Sequence, residues 1–219
     1  MPFSPLYLIL LLAALGLLAG LVQLGALTVA FEKLGLSAGS ALLLLLSSLA
    51  GSLINLPLFS VEAQAPPPPL PAPLRGLLRV RRMEFTGRTV VTVNAGGCLV
   101  PLAFSAYLLR HASLDPLVVL GAVGIVALVC RLASRPMPGV GIGIPMFVAP
   151  IAAALAALAL APEQSAPLAY IGGTLGVLIG ADLSRLGDIR RMGAPYASIG
   201  GAGTFDGIFL SGIVAVLLA

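Results

Sequence analysis

Long apolar runs separated by short polar breaks dominate this chain of 219 residues. A membrane-spanning helix needs about 20 consecutive apolar residues, and seven runs come near or exceed that length. The runs are Leu6–Ala30, Leu36–Phe59, Thr89–Leu109, Leu117–Leu132, Ile144–Ala161, Leu168–Leu186 and Tyr196–Ala219. The pattern predicts an all-α polytopic membrane protein, a single transmembrane domain over residues 1–219 with about seven transmembrane helices.

Composition supports a membrane class, since 59% of the residues are hydrophobic, 9% are charged and the mean hydropathy is +1.10. A soluble domain carries about 25% charged residues. We therefore expect the lipid bilayer as a partner and the inner (plasma) membrane as the location. The isoelectric point near 9.6 does not indicate nucleic acid, because the basic residues lie in the predicted loops. No cofactor and no metal site is predicted, and Cys98 and Cys130 are interpreted as small buried hydrophobic residues.

The basic residues set the predicted orientation. Of the 12 lysines and arginines, ten lie in the loops after the second, fourth and sixth runs, and only Lys33 and Arg110 lie in the opposite set. Cytoplasmic loops carry the excess of positive charge, which predicts a cytoplasmic N-terminus and an external C-terminus. With no tryptophan, the tyrosines are expected to mark the membrane interfaces. They are Tyr7, Tyr107, Tyr170 and Tyr196.

The longest predicted loop is a cytoplasmic Pro/Arg-rich segment, residues 60–88, between the second and third helices. Pro66–Pro69 predicts a stiff polyproline stretch, and Val80–Thr92 predicts short extended segments around Thr86-Gly87. The arginines of this loop suit contact with anionic lipid as well as orientation. Residues 136–145 are too rich in proline and glycine for a helix. They are expected to form either a re-entrant segment or a surface loop.

Two aspartates stand where lipid-facing sequence should have none. A carboxyl group at membrane depth is costly unless it is paired or neutralised, so it marks a candidate functional site. At the helical rise of about 1.5 Å per residue, Asp182 lies about 21 Å and Asp206 about 20 Å below the outer surface. On consecutive antiparallel spans the two carboxyl groups would then share one level, near the cytoplasmic side. We predict them to lie within about a water-bridged distance of each other.

Glycines and asparagines accompany these aspartates. A helix from Phe205 to Ala219 would be only about 22 Å long, so the Gly-rich segment before the last helix is predicted to be broken or re-entrant over Ser198–Gly203. Its free amides would bind a substrate carbonyl or the Asp206 carboxylate. The predicted substrate-binding residues are Asn55, Asn94, Gly200, Gly201, Gly203 and Thr204. For both asparagines the alternative is structural, with the amide satisfying carbonyls freed by a broken helix. Gly172, Gly176 and Gly180 predict a close helix–helix contact.

The residues leave three functions open. Two adjacent carboxyl groups cannot both ionise easily, so such a pair can act as acid and base on a water molecule in an aspartyl-protease-like hydrolysis. A cation- or proton-coupled transporter would use the same carboxylates as its ion site, with a small ion rather than a peptide as its substrate. A non-catalytic structural protein would pair Asp182 with Arg185 and use Asp206 to cap the last helix.

Two family resemblances bear on these alternatives. The order and direction of the two aspartates resemble those of the presenilin and signal-peptide-peptidase families of intramembrane aspartyl proteases, which implies a catalytic role for Asp182 and Asp206. The match covers only those positions, because Ala181 stands where those families have tyrosine and residues 201–206 carry two extra residues between glycine and aspartate. A likeness over most of the chain is to a prokaryotic integral membrane family known as a domain of unknown function. It rests on residues 55–57, 93–97, 139–142, 180–183 and 198–210.

Overall fold

The computed structural model describes residues 12–13, 15–17, 20, 25–64, 87–137, 141–201 and 207–219. Asp206, Gly203, Thr204 and the Pro66–Pro69 stretch lie outside these residues, so the predictions made for them stay predictions. The described part is mostly helical. Its elements are eight α-helices, five strands and four short π- or 3₁₀-helical stretches.

The elements follow one another from the first described helix to the end of the chain. The α-helices are α1 (Ala26–Lys33), α2 (Ala38–Gly51), α3 (Val100–His111), α4 (Pro116–Ala133), α5 (Val148–Leu160), α6 (Ser165–Val177), α7 (Ile189–Met192) and α8 (Gly207–Leu218). The strands are β1 (Asn55–Glu62), β2 (Arg88–Asn94), β3 (Arg135–Met137), β4 (Gly141–Gly143) and β5 (Tyr196–Ile199). The π-helical turns are Ala95–Leu99 and Leu178–Asp182, and the 3₁₀-helices are Pro162–Gln164 and Leu183–Asp188.

Helix α6 forms the centre of the bundle. All but one of its 13 residues are buried, and it packs against α4, α5 and α8. A helix that is hydrophobic on all sides is a core helix. Where α6 passes into the π-turn Leu178–Asp182, the chain meets α4 through glycine, because a Cβ atom at Gly180 would lie 2.7 Å from the Ala127 Cα atom. The predicted glycine contact is confirmed.

Two helical segments are long and apolar enough to cross a membrane, Pro116–Ala133 and Pro162–Met192. The second one combines α6 with the irregular turns on both sides of it. Ala38–Gly51 and Val148–Leu160 are apolar but shorter. Leucines on α4 point outward, with Leu117 at 78% and Leu132 at 75% exposure. These features favour association with a membrane, and the full count of seven spans stays a prediction.

The all-α prediction is wrong for the second and third runs. Helix α2 ends at Gly51, and β1 pairs antiparallel with β2 from Asn55↔Asn94 to Glu62↔Arg88. Pro57 lacks the amide hydrogen that a helix interior needs, and an edge strand such as β1 tolerates it. The Thr and Val residues that make up most of β2 are strong strand formers. Apolar runs alone do not separate helix from strand.

The segment before the last helix is non-helical, as predicted, over its described part. Strand β5 pairs parallel with β2, from Val90↔Tyr196 to Val93↔Ile199, which gives the sheet order β1-β2-β5. Gly200 and Gly201 follow with φ of 84° and 98°, a left-handed region that favours glycine. The proline- and glycine-rich run after α4 forms a small antiparallel pair, β3 with β4.

Alternate connections between the helices gather at two opposite ends of the bundle. At one end the α1–α2, α3–α4 and α5–α6 connections and the last residue line a common cavity. At the other end the Gln64 amide donates to the Arg190 carbonyl, and Arg131 donates to the Ser184 carbonyl. These bonds join the β1–β2 connection and the end of α4 to the α6–α8 connection. We call the two ends the Lys33 end and the Asp182 end.

Candidate functional site

Asp182 lies where the central helix stops being regular. The chain leaves α6 through the π-turn Leu178–Asp182 and continues as the 3₁₀-helix Leu183–Asp188. Such π-turns are frequent at functional sites, because they change the direction of the side chains that follow. The carboxyl group of Asp182 is half-buried and accepts a 2.8 Å hydrogen bond from the Gly200 amide. A carboxylate bound by a backbone amide is held in a fixed orientation.

The alternative in which Asp182 pairs with Arg185 is not observed. Arg185 instead forms a 3.2 Å ion pair with Asp188. The same guanidinium donates to the Arg131 and Ser134 carbonyls, both at 2.9 Å. These carbonyls lie at the end of α4, where basic side chains satisfy groups that have no partner within the helix. Arg185 therefore links α4 to the segment after α6, and its positive charge does not pair with the Asp182 carboxylate.

Gly200 positions the amide that binds Asp182. A Cβ atom there would lie 2.6 Å from the Cys98 Cβ and 2.7 Å from the Cys98 amide nitrogen. Glycine is therefore required both by the left-handed backbone and by the contact with the π-turn Ala95–Leu99. This amide was predicted to be open to a substrate carbonyl or to the Asp206 carboxylate. Its observed partner, Asp182, was not identified from the sequence.

The two asparagines join β1 to β5 beside this point. Asn94 is 1% exposed; its Nδ2 donates to the Ser52 carbonyl at 2.7 Å and to Asn55 Oδ1 at 3.2 Å. Its Oδ1 accepts the Gly97 amide at 2.7 Å, which caps the π-turn. Ser198 Oγ donates to Asn55 Oδ1 at 2.7 Å. Asn94 thus provides hydrogen-bond partners for backbone groups at the end of α2 and at the start of the π-turn Ala95–Leu99. The exposed Asn55 links β1 to β5.

A cavity of about 120 Å³ opens beside the carboxylate. Its walls come from β4, β5, Gly201 and the apolar side chains Leu186, Ile189 and Met192. The volume suits a few water molecules or one small side chain. Most of the lining is apolar, and Asp182 provides a carboxyl group in the cavity wall.

Strand β5 lines the cavity and is also an edge strand of the sheet. An edge strand offers unpaired N–H and C=O groups to another extended chain. The cavity thus brings together Asp182, Gly201 and the edge strand β5. Asn55 is linked to β5 through its hydrogen bond with Ser198. Sequence periodicity missed the edge strand, because residues 196–199 continue into the apolar run of α8.

Three buried hydroxyl groups lie deeper in the bundle, on α3 and α6. Ser105, Tyr170 and Thr174 are at most 1% exposed, and within the described residues their hydroxyl oxygens have no hydrogen-bond partner of good geometry. Tyr170 was predicted at a membrane interface, and that prediction is wrong. Its ring packs edge-on against Phe104 with centroids 4.9 Å apart. Gly212 on α8 leaves room for the ring, since a Cβ atom there would lie 3.0 Å from it.

Metal ligands were not predicted, and the described ranges contain no group of three or more His, Cys, Asp or Glu side chains placed to hold a metal ion. Cys98 and Cys130 are buried, as predicted, and are not joined in a disulfide.

Comparison with known proteins finds one family. No curated protein and no solved structure matches the chain. A family model described as a protein of unknown function, DUF1614, matches residues 49–218. The match includes the sheet, α3 to α8 and Asp182. It confirms the resemblance to a family known as a domain of unknown function. By this match over most of its length, the chain belongs to the DUF1614 family of proteins of unknown function.

Proposed function

We propose that this protein is an intramembrane aspartyl-protease-like hydrolase that acts near the cytoplasmic side of the plasma membrane. Asp182 is one carboxyl group of its catalytic pair and Asp206 is the other. The observation that carries the proposal is the half-buried Asp182 carboxylate, held by the Gly200 amide beside a cavity walled by an edge strand. This combination offers an acid–base group and a place for an extended peptide.

The proposed topology keeps the seven membrane segments predicted from the apolar runs, which overlap α1 to α6 and α8, with a cytoplasmic N-terminus and an external C-terminus. Two observations support it. Alternate connections gather at opposite ends of the bundle, as a multi-pass chain requires. The arginines that bond the connections at the Asp182 end, Arg131 and Arg185, belong to the set that predicts a cytoplasmic location.

In the proposed binding step an extended peptide adds to the free edge of β5. Main-chain hydrogen bonds provide the affinity in such strand addition. The peptide carbonyl then lies beside Asp182, and one of its side chains enters the apolar cavity. Gly201, Asn55, Gly203 and Thr204 are the further residues proposed to contact the substrate, while Asn94 positions Asn55.

In the proposed chemical step the two carboxyl groups share one proton. The ionised carboxylate takes a proton from a water molecule, and the water oxygen forms a bond to the peptide carbonyl carbon. The protonated carboxyl group gives its proton to the carbonyl oxygen, which yields a tetrahedral diol. When the C–N bond breaks, a proton passes to the leaving amine, one diol hydroxyl loses its proton and a carboxylic acid remains.

Cleavage of membrane proteins in proteoliposomes tests the proposal. The purified chain is reconstituted with a membrane extract, and new peptide termini are identified by mass spectrometry. Asp182→Asn and Asp206→Asn are expected to remove the termini that the wild type creates, because the amide keeps the shape without the basicity. Asp188→Asn is the matched control, since Asp188 pairs with Arg185 outside the cavity. Equal cleavage by wild type and Asp182→Asn would exclude the hydrolase.

A second candidate, a cation- or proton-coupled transporter, is supported by the buried hydroxyl groups Ser105, Tyr170 and Thr174. They lie on α3 and α6, and α6 runs from the cavity at the Lys33 end to Asp182. Buried hydroxyl groups without full hydrogen bonds suit a place where water or an ion passes. Uptake of a labelled monovalent cation or of protons by the same proteoliposomes measures this function. The transporter is favoured over the hydrolase if the wild type shows uptake and creates no new peptide termini, and if Asp182→Asn abolishes the uptake.

A further inference from the structure

The larger of the two cavities described here lies at the Lys33 end, away from Asp182. It encloses about 480 Å³, within the roughly 300–1,000 Å³ usual for small-molecule sites. Helices α1, α3 and α8 end at its walls and α6 begins there. Leu34, Leu108 and Pro167 supply apolar surface, and Lys33, His111 and Glu163 supply charged and polar groups.

Lys33 brings a positive charge whose counter-ion is not in the described structure. Its ammonium group donates a long 3.4 Å hydrogen bond to the Val216 carbonyl. Within the described residues the one ion pair is Arg185–Asp188, at the other end of the bundle. The ammonium group of Lys33 can therefore bind an anionic oxygen in the cavity without first leaving a carboxylate.

His111 brings a hydrogen-bond acceptor in a fixed position. Its Nδ1 lies 2.8 Å from the Tyr107 carbonyl, and because a carbonyl only accepts, Nδ1 carries the hydrogen. In the neutral ring Nε2 then has a free lone pair. Stacking on the Tyr107 ring, with centroids 4.1 Å apart, fixes the plane of the imidazole.

Glu163 brings a negative charge to the same cavity. It lies in the 3₁₀-turn Pro162–Gln164 at the start of α6 and is exposed. No described lysine or arginine forms an ion pair with it, because the one such pair lies at the Asp182 end. The carbonyl ends of α1, α3 and α8 add partial negative charge nearby. Together with His111 Nε2, the carboxylate provides acceptors for an ammonium group.

We propose that this cavity binds a zwitterion that carries an ammonium group and a phosphate, the chemistry of phosphoethanolamine. The ammonium group is bound by Glu163 and His111 Nε2, and the phosphate is bound by Lys33. A ligand with only an anionic group would leave the Glu163 carboxylate without a positive partner. A ligand with only a cationic group would leave the Lys33 ammonium group without a negative partner. The zwitterion neutralises both, and it can come from a lipid headgroup or from a soluble molecule.

Calorimetry on the full chain in detergent tests the recognition with three soluble probes. Glycerophosphoethanolamine is expected to bind at least about tenfold more tightly than glycerol phosphate or ethanolamine, because each half-ligand loses one charged contact. Glu163→Gln and Lys33→Met are each expected to weaken it by about ten- to a hundredfold. Glu32→Gln and Arg110→Gln are the matched controls, since both residues lie at this end and neither lines the cavity; they should bind as the wild type does.

Mass spectrometry of the intact protein released from nanodiscs separates the two sources. Preferential retention of phosphatidylethanolamine over phosphatidylglycerol, lost in Glu163→Gln, identifies a lipid headgroup. Binding of the soluble probe without such lipid preference identifies a soluble zwitterion. The proposal is overturned if neither form binds better than its single-charge analogues, or if Glu163→Gln and Lys33→Met bind as the wild type does. Asp182→Asn should bind normally, so the result is independent of the hydrolase proposal.

Discussion

Glycines make two kinds of close contact in this protein, one between helices and one between a loop and a π-turn. At Gly176 and Gly180 the regular face of α6 and its π-turn approach α4, and the contact follows from the four-residue spacing. At Gly200 a residue with φ of 84° lies on Gly97 and Cys98 and donates its amide to Asp182. The first contact only packs two segments. The second also orients a carboxylate, so a change there should affect stability and chemistry together.

Gly200→Ala should have the largest effect. The added methyl group meets Cys98 and the backbone must keep a left-handed φ, so we expect a loss of about 2–4 kcal/mol of unfolding free energy. Thermal unfolding in detergent measures it. The control is Gly187→Ala, where nothing lies within 4 Å of the new atom. Equal melting of the two variants would show that the loop does not pack on the π-turn.

Gly180→Ala should come next, because its methyl group would meet the Ala127 backbone and not a movable side chain. We expect a cost of about 2–3 kcal/mol, again measured by thermal unfolding. Gly124→Ala lies on the open side of α4, with nothing within 4 Å, and should be neutral or stabilise by up to about 1 kcal/mol. If both variants melt alike, α4 and α6 are farther apart than described.

Asn94→Ala separates a structural asparagine from a ligand-binding one. Loss of its side chain leaves the Ser52 carbonyl and the Gly97 amide without partners, at a cost of about 1–3 kcal/mol. The exposed Asn55→Ala should cost less than about 1 kcal/mol. Comparing the two melting temperatures checks this order. A stable Asn94→Ala protein that loses only cleavage activity would instead assign Asn94 to the substrate.

Thr174→Val should have the smallest effect. The substitution keeps the shape and removes a buried hydroxyl group that lacks a well-formed hydrogen bond, so we expect stability to be unchanged or raised by up to about 1 kcal/mol. Thermal unfolding provides the measurement. A clear loss of stability would mean that the hydroxyl group binds water or an ion, which favours the transporter over the hydrolase.

The helical part of the fold was predictable because its rules are local. Apolar runs marked α4 and α6, and the spacing of Gly172, Gly176 and Gly180 indicated the tight packing of α6. The sheet was not predictable in the same way, since residues 55–62 find their partners at 88–94, and no local pattern fixes the register of such a long-range pairing. Strand β2 buries most of its residues, and β1 exposes Leu56, Leu58 and Phe59. Both strands therefore carry the apolar residues that a membrane-spanning helix would also carry, and the second and third runs were predicted as helices.

The candidate site was predictable only in part. Asp182 was identified by its charge within an apolar run, and the break before α8 by its glycines. The Gly200–Asp182 bond depends on the parallel pairing of β5 with β2, and no local pattern reports that pairing. Arg185 pairs with Asp188 because the π-turn and the 3₁₀-helix replace the regular helical spacing on which the alternative Asp182–Arg185 pair depended.

The central claim is that Asp182 and Asp206 act as one acid–base pair, and a transition-state analogue tests it without knowledge of the natural substrate. A hydroxyethylene peptide with a photoreactive group mimics the diol that such a pair binds. We expect it to label the wild type and Asp188→Asn equally, and to label neither Asp182→Asn nor Asp206→Asn, provided that all four proteins melt alike. Equal labelling of Asp182→Asn and wild type would contradict the account.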